Sequence, residues 1–149
     1  MTPASQPYTN EQYGFVVPAV ADARAYQDKA PNPNHGVMLV LGDRRVITVS
    51  AEYDAARLGT AKAYLDLLLQ ADQNQGHPIV RAMRSAGHAA WSATIRQPDS
   101  LRKFVAVRRS EEGGINYALT LETTASAADE DAKTFARLAH DLKFVALAH

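Results

Sequence analysis

Between residues 79 and 122 the chain runs through segments whose apolar residues recur at every second position. The connections are too short for anything but antiparallel neighbours. Trp91, Ala93 and Ile95 alternate with Ser92, Thr94 and Arg96, while Ile115, Tyr117, Leu119 and Leu121 alternate with Asn116, Ala118, Thr120 and Glu122. A period of two belongs to an extended strand with one face wetter than the other. "QPDS" and "SEEGG" read as the turns, Gly113 and Gly114 supplying positive φ where a turn needs it. Strands are therefore expected over 79–86, 88–96, 103–109 and 115–122.

The N-terminal half adds a hairpin. "VMLVLG" is apolar throughout, as expected of a strand covered on both faces, and the short turn "GDRR" leads into Arg45, Ile47, Val49 and Ala51 at alternate positions. Upstream, Tyr13, Phe15 and Val17 share one side of a short strand that Pro18 closes, expected at a sheet edge. Residues 19–34 read as a connection that Pro31 and Pro33 stiffen, because each proline disfavours helix in the residue before it. Two helices complete the set. Thr60 is a suitable N-cap for one running to about Ala71, with Ala61, Tyr64, Leu65 and Leu68 facing inward. Ser126 with Asp129 resembles a capping box for the other, where Asp129, Glu130 and Asp131 favour the positive end of the helix dipole. Its inner stripe is Ala132, Phe135, Leu138, Ala139 and Leu142. The expected fold class is α+β: a mainly antiparallel sheet of about six to seven strands packed with two principal helices. Residues 1–12, with two prolines among small polar residues, read as a flexible spacer, and 13–149 as a single α+β domain.

This order of elements, with Gly14, Phe15 and Pro18 at the front and Phe135, Leu138, Leu142, Lys143 and Phe144 at the back, resembles the α/β/α sandwiches of the PsbP-like superfamily. The resemblance spans most of the chain at fold level. It implies a binding or assembly protein without chemistry of its own, of the kind found in bacterial envelopes. It carries no functional residue across, because only fold-level motifs match.

Chemistry is scarce in the residues themselves. Cysteine is absent, which removes disulfides, thiolate metal sites and cysteine nucleophiles. The five histidines form neither an H-x-x-x-H nor an H-x-H pair, so no metal ligand set is expected, and no cofactor. There is no G-x-S-x-G elbow. "NPNHG", with its lone His35, lacks the glycines and following helix of a phosphate cradle and reads as turn chemistry before a strand. Glu111 with Glu112 and the run Asp129 to Asp131 are accounted for by a turn and a first helical turn.

Charge is uneven although 16 basic residues balance 16 acidic ones. Seven basic residues lie within 81–109 against a single acid, Asp99. Such asymmetry favours an anionic partner. Zero net charge argues against nucleic acid, as does the strand parity of Trp91, which turns it away from His88 and Arg96. The expected contact surface is a basic sheet face, His88, Arg96, Arg108 and Arg109, with His35 and Arg44 from the loops. The expected partner is another protein, with an acidic surface. The spacer-like start leads to a periplasmic or secreted accessory factor or immunity-type inhibitor of a secreted toxin, with a cytoplasmic location as the alternative. The competing expectation is a small-ligand binder or enzyme whose pocket gathers His35, Tyr53, Asp54 and His88.

Overall fold

The computed structural model describes residues 2–3, 6–27, 35–84, 90–110 and 114–145. In chain order it contains β1 (Thr2–Pro3), β2 (Tyr8–Asn10), β3 (Phe15–Val17), β4 (Arg24–Gln27), β5 (Gly36–Gly42), β6 (Arg45–Tyr53), α1 (Ala61–Asn74), β7 (Ile79–Arg84), β8 (Ala90–Gln97), β9 (Leu101–Arg109), β10 (Ile115–Thr124), α2 (Ala128–Asp141) and β11 (Lys143–Phe144). The main sheet has the order β1-β4-β5-β6-β10-β9-β8-β7 and the pairs are antiparallel throughout. A second, three-stranded sheet has the order β11-β3-β2. The fold is thus the expected α+β sandwich, with the two-residue β1 added at one edge of the main sheet.

Period-two alternation places the apolar residues as the sequence expects, but on opposite sides of the sheet in its two halves. Ile47, Val49 and Ala51 of β6 join Tyr117, Leu119 and Leu121 of β10 in a core closed by α2 and the small sheet, through Phe135, Leu138, Leu142, Phe15 and Val17. Ala93 and Ile95 of β8 join Val105 and Val107 of β9 in a second core on the opposite face, closed by α1 through Ala61, Tyr64, Leu65 and Leu69. Each helix therefore covers about half the width of the sheet, and the two covered halves lie diagonally across it.

Four expectations change. β3 lies in the middle of the small sheet and not at the edge of the large one, because β2 and β11 flank it. Residues 8–10, inside the expected spacer, form β2, with Asn10 buried and its Oδ1 accepting from the Tyr13 amide at 2.9 Å. The connection before Pro31 contains β4: "RAYQ" has no apolar alternation, and the strand is defined by its ladder with β5, Arg24↔Val40 to Gln27↔Val37. Among the described residues β5 is covered on one face only. Val37 and Leu39 are buried, whereas Met38 is 44% exposed, since α1 does not reach this half of the sheet.

The helix starts divide. Thr60 caps α1 as expected, its hydroxyl accepting from the Ala63 amide at 3.1 Å. At α2 the N-cap position falls to Ala127, and Ser126 shares a hydrogen bond with Thr124. Asp131, expected to favour the positive end of the helix dipole, is buried and paired as well. Arg45 Nε and Nη2 donate to its two oxygens at 2.8 and 2.6 Å, and Thr123 Oγ1 donates at 2.6 Å. This fork ties the start of α2 to the β5–β6 hairpin.

Candidate functional site

Because α2 and the small sheet cover β5, β6 and β10 and reach part of β9, the same side of β7, β8 and the outer part of β9 stays open among the described residues. Strand parity decides what it displays. In β9, Val105 and Val107 point to α1, so Arg102, Phe104, Ala106 and Arg108 point the other way, in register with Thr123, Leu121, Leu119 and Tyr117 of β10. In β8, Ala93 and Ile95 face α1, so Thr94 and Arg96 face the open side and are exposed. Val80 of β7, opposite Thr94, is 71% exposed.

Arg96 and Arg102 are directly opposite in the β8–β9 register. Their Cβ atoms are then roughly 5 Å apart, an unfavourable placement for two like charges. Arg102 Nη1 donates to the Leu101 carbonyl at 2.9 Å. At the far end of β9, the Arg108 guanidinium lies 4.8 Å from the centre of the Phe144 ring, which in turn meets Tyr117 edge-on at 4.7 Å. Among the described residues none of these three arginines has a carboxylate partner.

The six residues expected to form a contact surface separate accordingly. Arg96 and Arg108 share the open side. Arg109 is on the opposite face by parity, where its Nη1 donates to Asp54 Oδ2 at 2.8 Å and to Asn116 Oδ1 at 3.2 Å. Arg44 sits exposed in the β5–β6 turn with φ 58°. That is the same end of the sheet as Arg96 and Arg102, across β10 and β6. His35 lies at the other end, where its carbonyl accepts from the Ala51 amide at 2.8 Å. His88 lies outside the described residues. Arg102, Phe104 and Phe144 were missed; the signal for the first two was present, since they share the parity of Arg108 in β9.

The rival pocket residues are partly drawn together, but by structure. Tyr13 stacks on His35 at 5.3 Å and meets Tyr53 at 5.0 Å. His35 Nδ1 lies 3.0 Å from both the Tyr13 hydroxyl and the Ala51 carbonyl oxygen, and the Tyr117 hydroxyl donates to the Tyr13 carbonyl at 2.9 Å. Burial, with Tyr53 and Glu52 nearby, raises the Tyr13 phenol. Asp54 accepts from the Leu58 and Gly59 amides at 2.8 and 3.0 Å as well as from Arg109. These groups are spent on holding the loop before α1 and on seating the Tyr13 ring.

A third polar cluster fastens the end of α1. Buried Asp72 lies 2.7 Å from His77 Nδ1 and accepts from Gln97 Nε2 at 3.0 Å and Lys103 Nζ at 3.2 Å. Among the described residues no group of three His, Asp or Glu side chains is disposed to hold a metal ion. No helix among them is long and apolar enough to cross a membrane.

Three carboxyls are held below their ordinary range. For Asp54 the Gly59 amide, the Arg109 guanidinium and the Leu58 amide bring the pKa down to about 2. For Asp131 the Arg45 fork is the main cause, helped by Thr123 against the opposing effect of burial. At Asp72 burial pushes upward most strongly, but hydrogen bonds from His77 and Gln97 and the Lys103 charge together outweigh it. A carboxyl lowered on folding contributes stability above its unfolded pKa, lost as the pH falls through its folded one. Thermal melts should hold level from pH 7 to about 5, then decline below about 4, most steeply toward 2. A melting temperature unchanged between pH 5 and 2 would contradict these assignments.

No protein-family model matches the chain, and no curated protein sequence matches it. Solved structures do. The cyanobacterial PsbP protein of Synechocystis sp. PCC 6803 aligns with TM-score 0.61 at 15% identity, over 93% of this chain and 91% of its own. The Ran-binding protein Mog1p of Saccharomyces cerevisiae aligns with TM-score 0.62 at 10% identity, over 93% and 95%. LpqN of Mycobacterium tuberculosis, described as involved in cell envelope biogenesis, aligns with TM-score 0.55 at 12% identity, over 94% and 90%. At such identities the likeness is one of architecture, and the architecture is that of PsbP: this chain has the PsbP-like fold.

Proposed function

We propose that this chain is a non-catalytic protein-interaction module of a bacterial cell envelope, acting as an accessory factor or as an immunity-type inhibitor of a secreted toxin. The observation that carries the reading is the open side of β7–β9, where Arg96, Arg102 and Arg108 stand without carboxylate partners among the described residues. Three other basic residues are paired with buried or loop-holding carboxylates, Arg45 with Asp131, Arg109 with Asp54 and Lys103 with Asp72. Arginines left on an exposed sheet face beside aromatic rings have the composition of a binding surface. Arg44 stands at the same end of the sheet as Arg96 but with β10 and β9 between them, and Arg109 serves the fold. The reading draws further support from fold neighbours, one of them a Ran-binding protein and another involved in cell envelope biogenesis.

Affinity capture from a bacterial envelope fraction tests it, with wild type and Arg96→Glu/Arg108→Glu as bait. The wild type should retain a partner that the double variant loses. Equal capture by both, or none by either, would contradict the proposal.

A further inference from the structure

Resting on that reading, the geometry points to a specific occupant: we infer that the open half-face receives an acidic amphipathic helix of the partner protein, laid beside α2. Size is the first argument. Arg102 and Arg108 are six residues apart on one strand, a span of roughly 20 Å. A helix of 14 residues, the length of both α1 and α2, measures about 21 Å. Each face of the sheet already carries one such helix over half its width, and the β7–β9 half of the α2 side offers the place for another.

Chemistry is the second argument. Between its cationic ends the shelf mixes apolar and hydroxyl groups: Val80, 71% exposed, stands opposite exposed Thr94, Phe104 is partly buried, and Phe144, 41% exposed, lies beside Arg108. A helix with an apolar stripe would cover these groups, while carboxylates at both of its ends met the arginines. Arg96 opposite Arg102 is a like-charge pair that a carboxylate placed between them relieves, and the planar guanidinium is suited to gripping it with paired hydrogen bonds. Arg108, stacked on Phe144, is held in place before the partner arrives. Among the described residues the second uncovered half-face, above β4–β6, displays Met38 with Glu122 on the same side by parity and has no such arginine pair. Charge complementarity therefore directs an acidic helix to β7–β9.

Fluorescence anisotropy tests this with a labelled 18-residue peptide bearing two glutamates at each end and a leucine stripe between. The wild type should bind it, more weakly as salt rises. Arg96→Glu/Arg102→Glu should lose at least about tenfold in affinity, as truncating charged pairs at interfaces commonly does. Met38→Glu, on the other half-face, should bind as wild type, and a peptide with serine in place of leucine should bind less well. Arg96→Gln/Arg102→Gln provides the same comparison without reversing charge, and circular dichroism verifies that each variant is folded. Equal binding by wild type and the arginine variants, or loss in Met38→Glu, would overturn the inference. So would arginine-dependent binding to phosphatidylglycerol vesicles without peptide binding, or an arginine-dependent self-association showing that a second copy fills the face. A wild type that ignores the peptide yet captures an envelope partner overturns the helix and leaves the proposed function standing.

Discussion

Arg45→Ala is expected to cost about 3 kcal/mol at neutral pH, lowering the melting temperature by roughly 6–12 °C. The reason is an asymmetry within the pair: the Asp131 side chain is 2% exposed and that of Arg45 30%. Removing the arginine leaves a buried carboxylate with, among the described residues, the Thr123 hydroxyl alone to satisfy it. Removing the aspartate frees a guanidinium that can turn to water, so Asp131→Ala should cost less. The deficit of Arg45→Ala should also shrink as the solution is acidified, because the stranded carboxyl can then be neutralised by a proton. Thermal or urea denaturation of both variants at pH 7 and pH 4 measures all three effects. An Arg45→Ala protein within about 1 kcal/mol of wild type at pH 7 would mean that the fork does not hold α2 to the hairpin.

Gly36→Ala is expected to cost about 2–3 kcal/mol, close to the upper range for overpacking. A Cβ on Gly36 would sit 1.9 Å from the Val49 carbonyl oxygen and 2.8 Å from the Ser50 Cα. Both atoms belong to the β6 backbone opposite it, so relief requires moving a strand of the main ladder and not merely a side chain. The loss should appear in denaturation midpoints, with an amide-exchange increase concentrated on β5 and β6. Wild-type stability in this variant would show that the two strands are farther apart at Gly36 than described.

The contrast between these residues indicates how far the sequence is readable. Alternation along β6, β8 and β10 specifies strands, and short turns specify antiparallel neighbours, so the sheet was legible from local pattern. β4 was not, because "RAYQ" acquires its extended form from pairing with β5 rather than from any periodicity of its own. Asp131 was misread for a related reason: an acid in a first helical turn has a sufficient local explanation, and its partner lies 86 positions away. The basic half-face was half legible. Parity alone groups Arg102 with Phe104 and Arg108 and separates Arg109. What parity does not supply is which half of each face a helix will cover, and that depends on where α1 and α2 dock. Arg96 opposite Arg102 also depended on the three-residue closure from Gln97 to Leu101, which sets the β8–β9 register.

Photo-crosslinking locates the partner's contact, with a crosslinking residue placed at Thr94 on the open β7–β9 side, at Met38 on the other uncovered half, and at Lys133 on α2. In envelope-bearing bacterial cells, Thr94 should yield an adduct whose crosslinked peptide, sequenced by mass spectrometry, is acidic with a helical apolar stripe. That adduct should disappear when Arg96→Glu/Arg102→Glu is added, while Met38 and Lys133 give none. Adducts to the same protein from Met38 or Lys133 but not from Thr94 would contradict the proposed function, for the partner would then be meeting a surface without Arg96, Arg102 and Arg108.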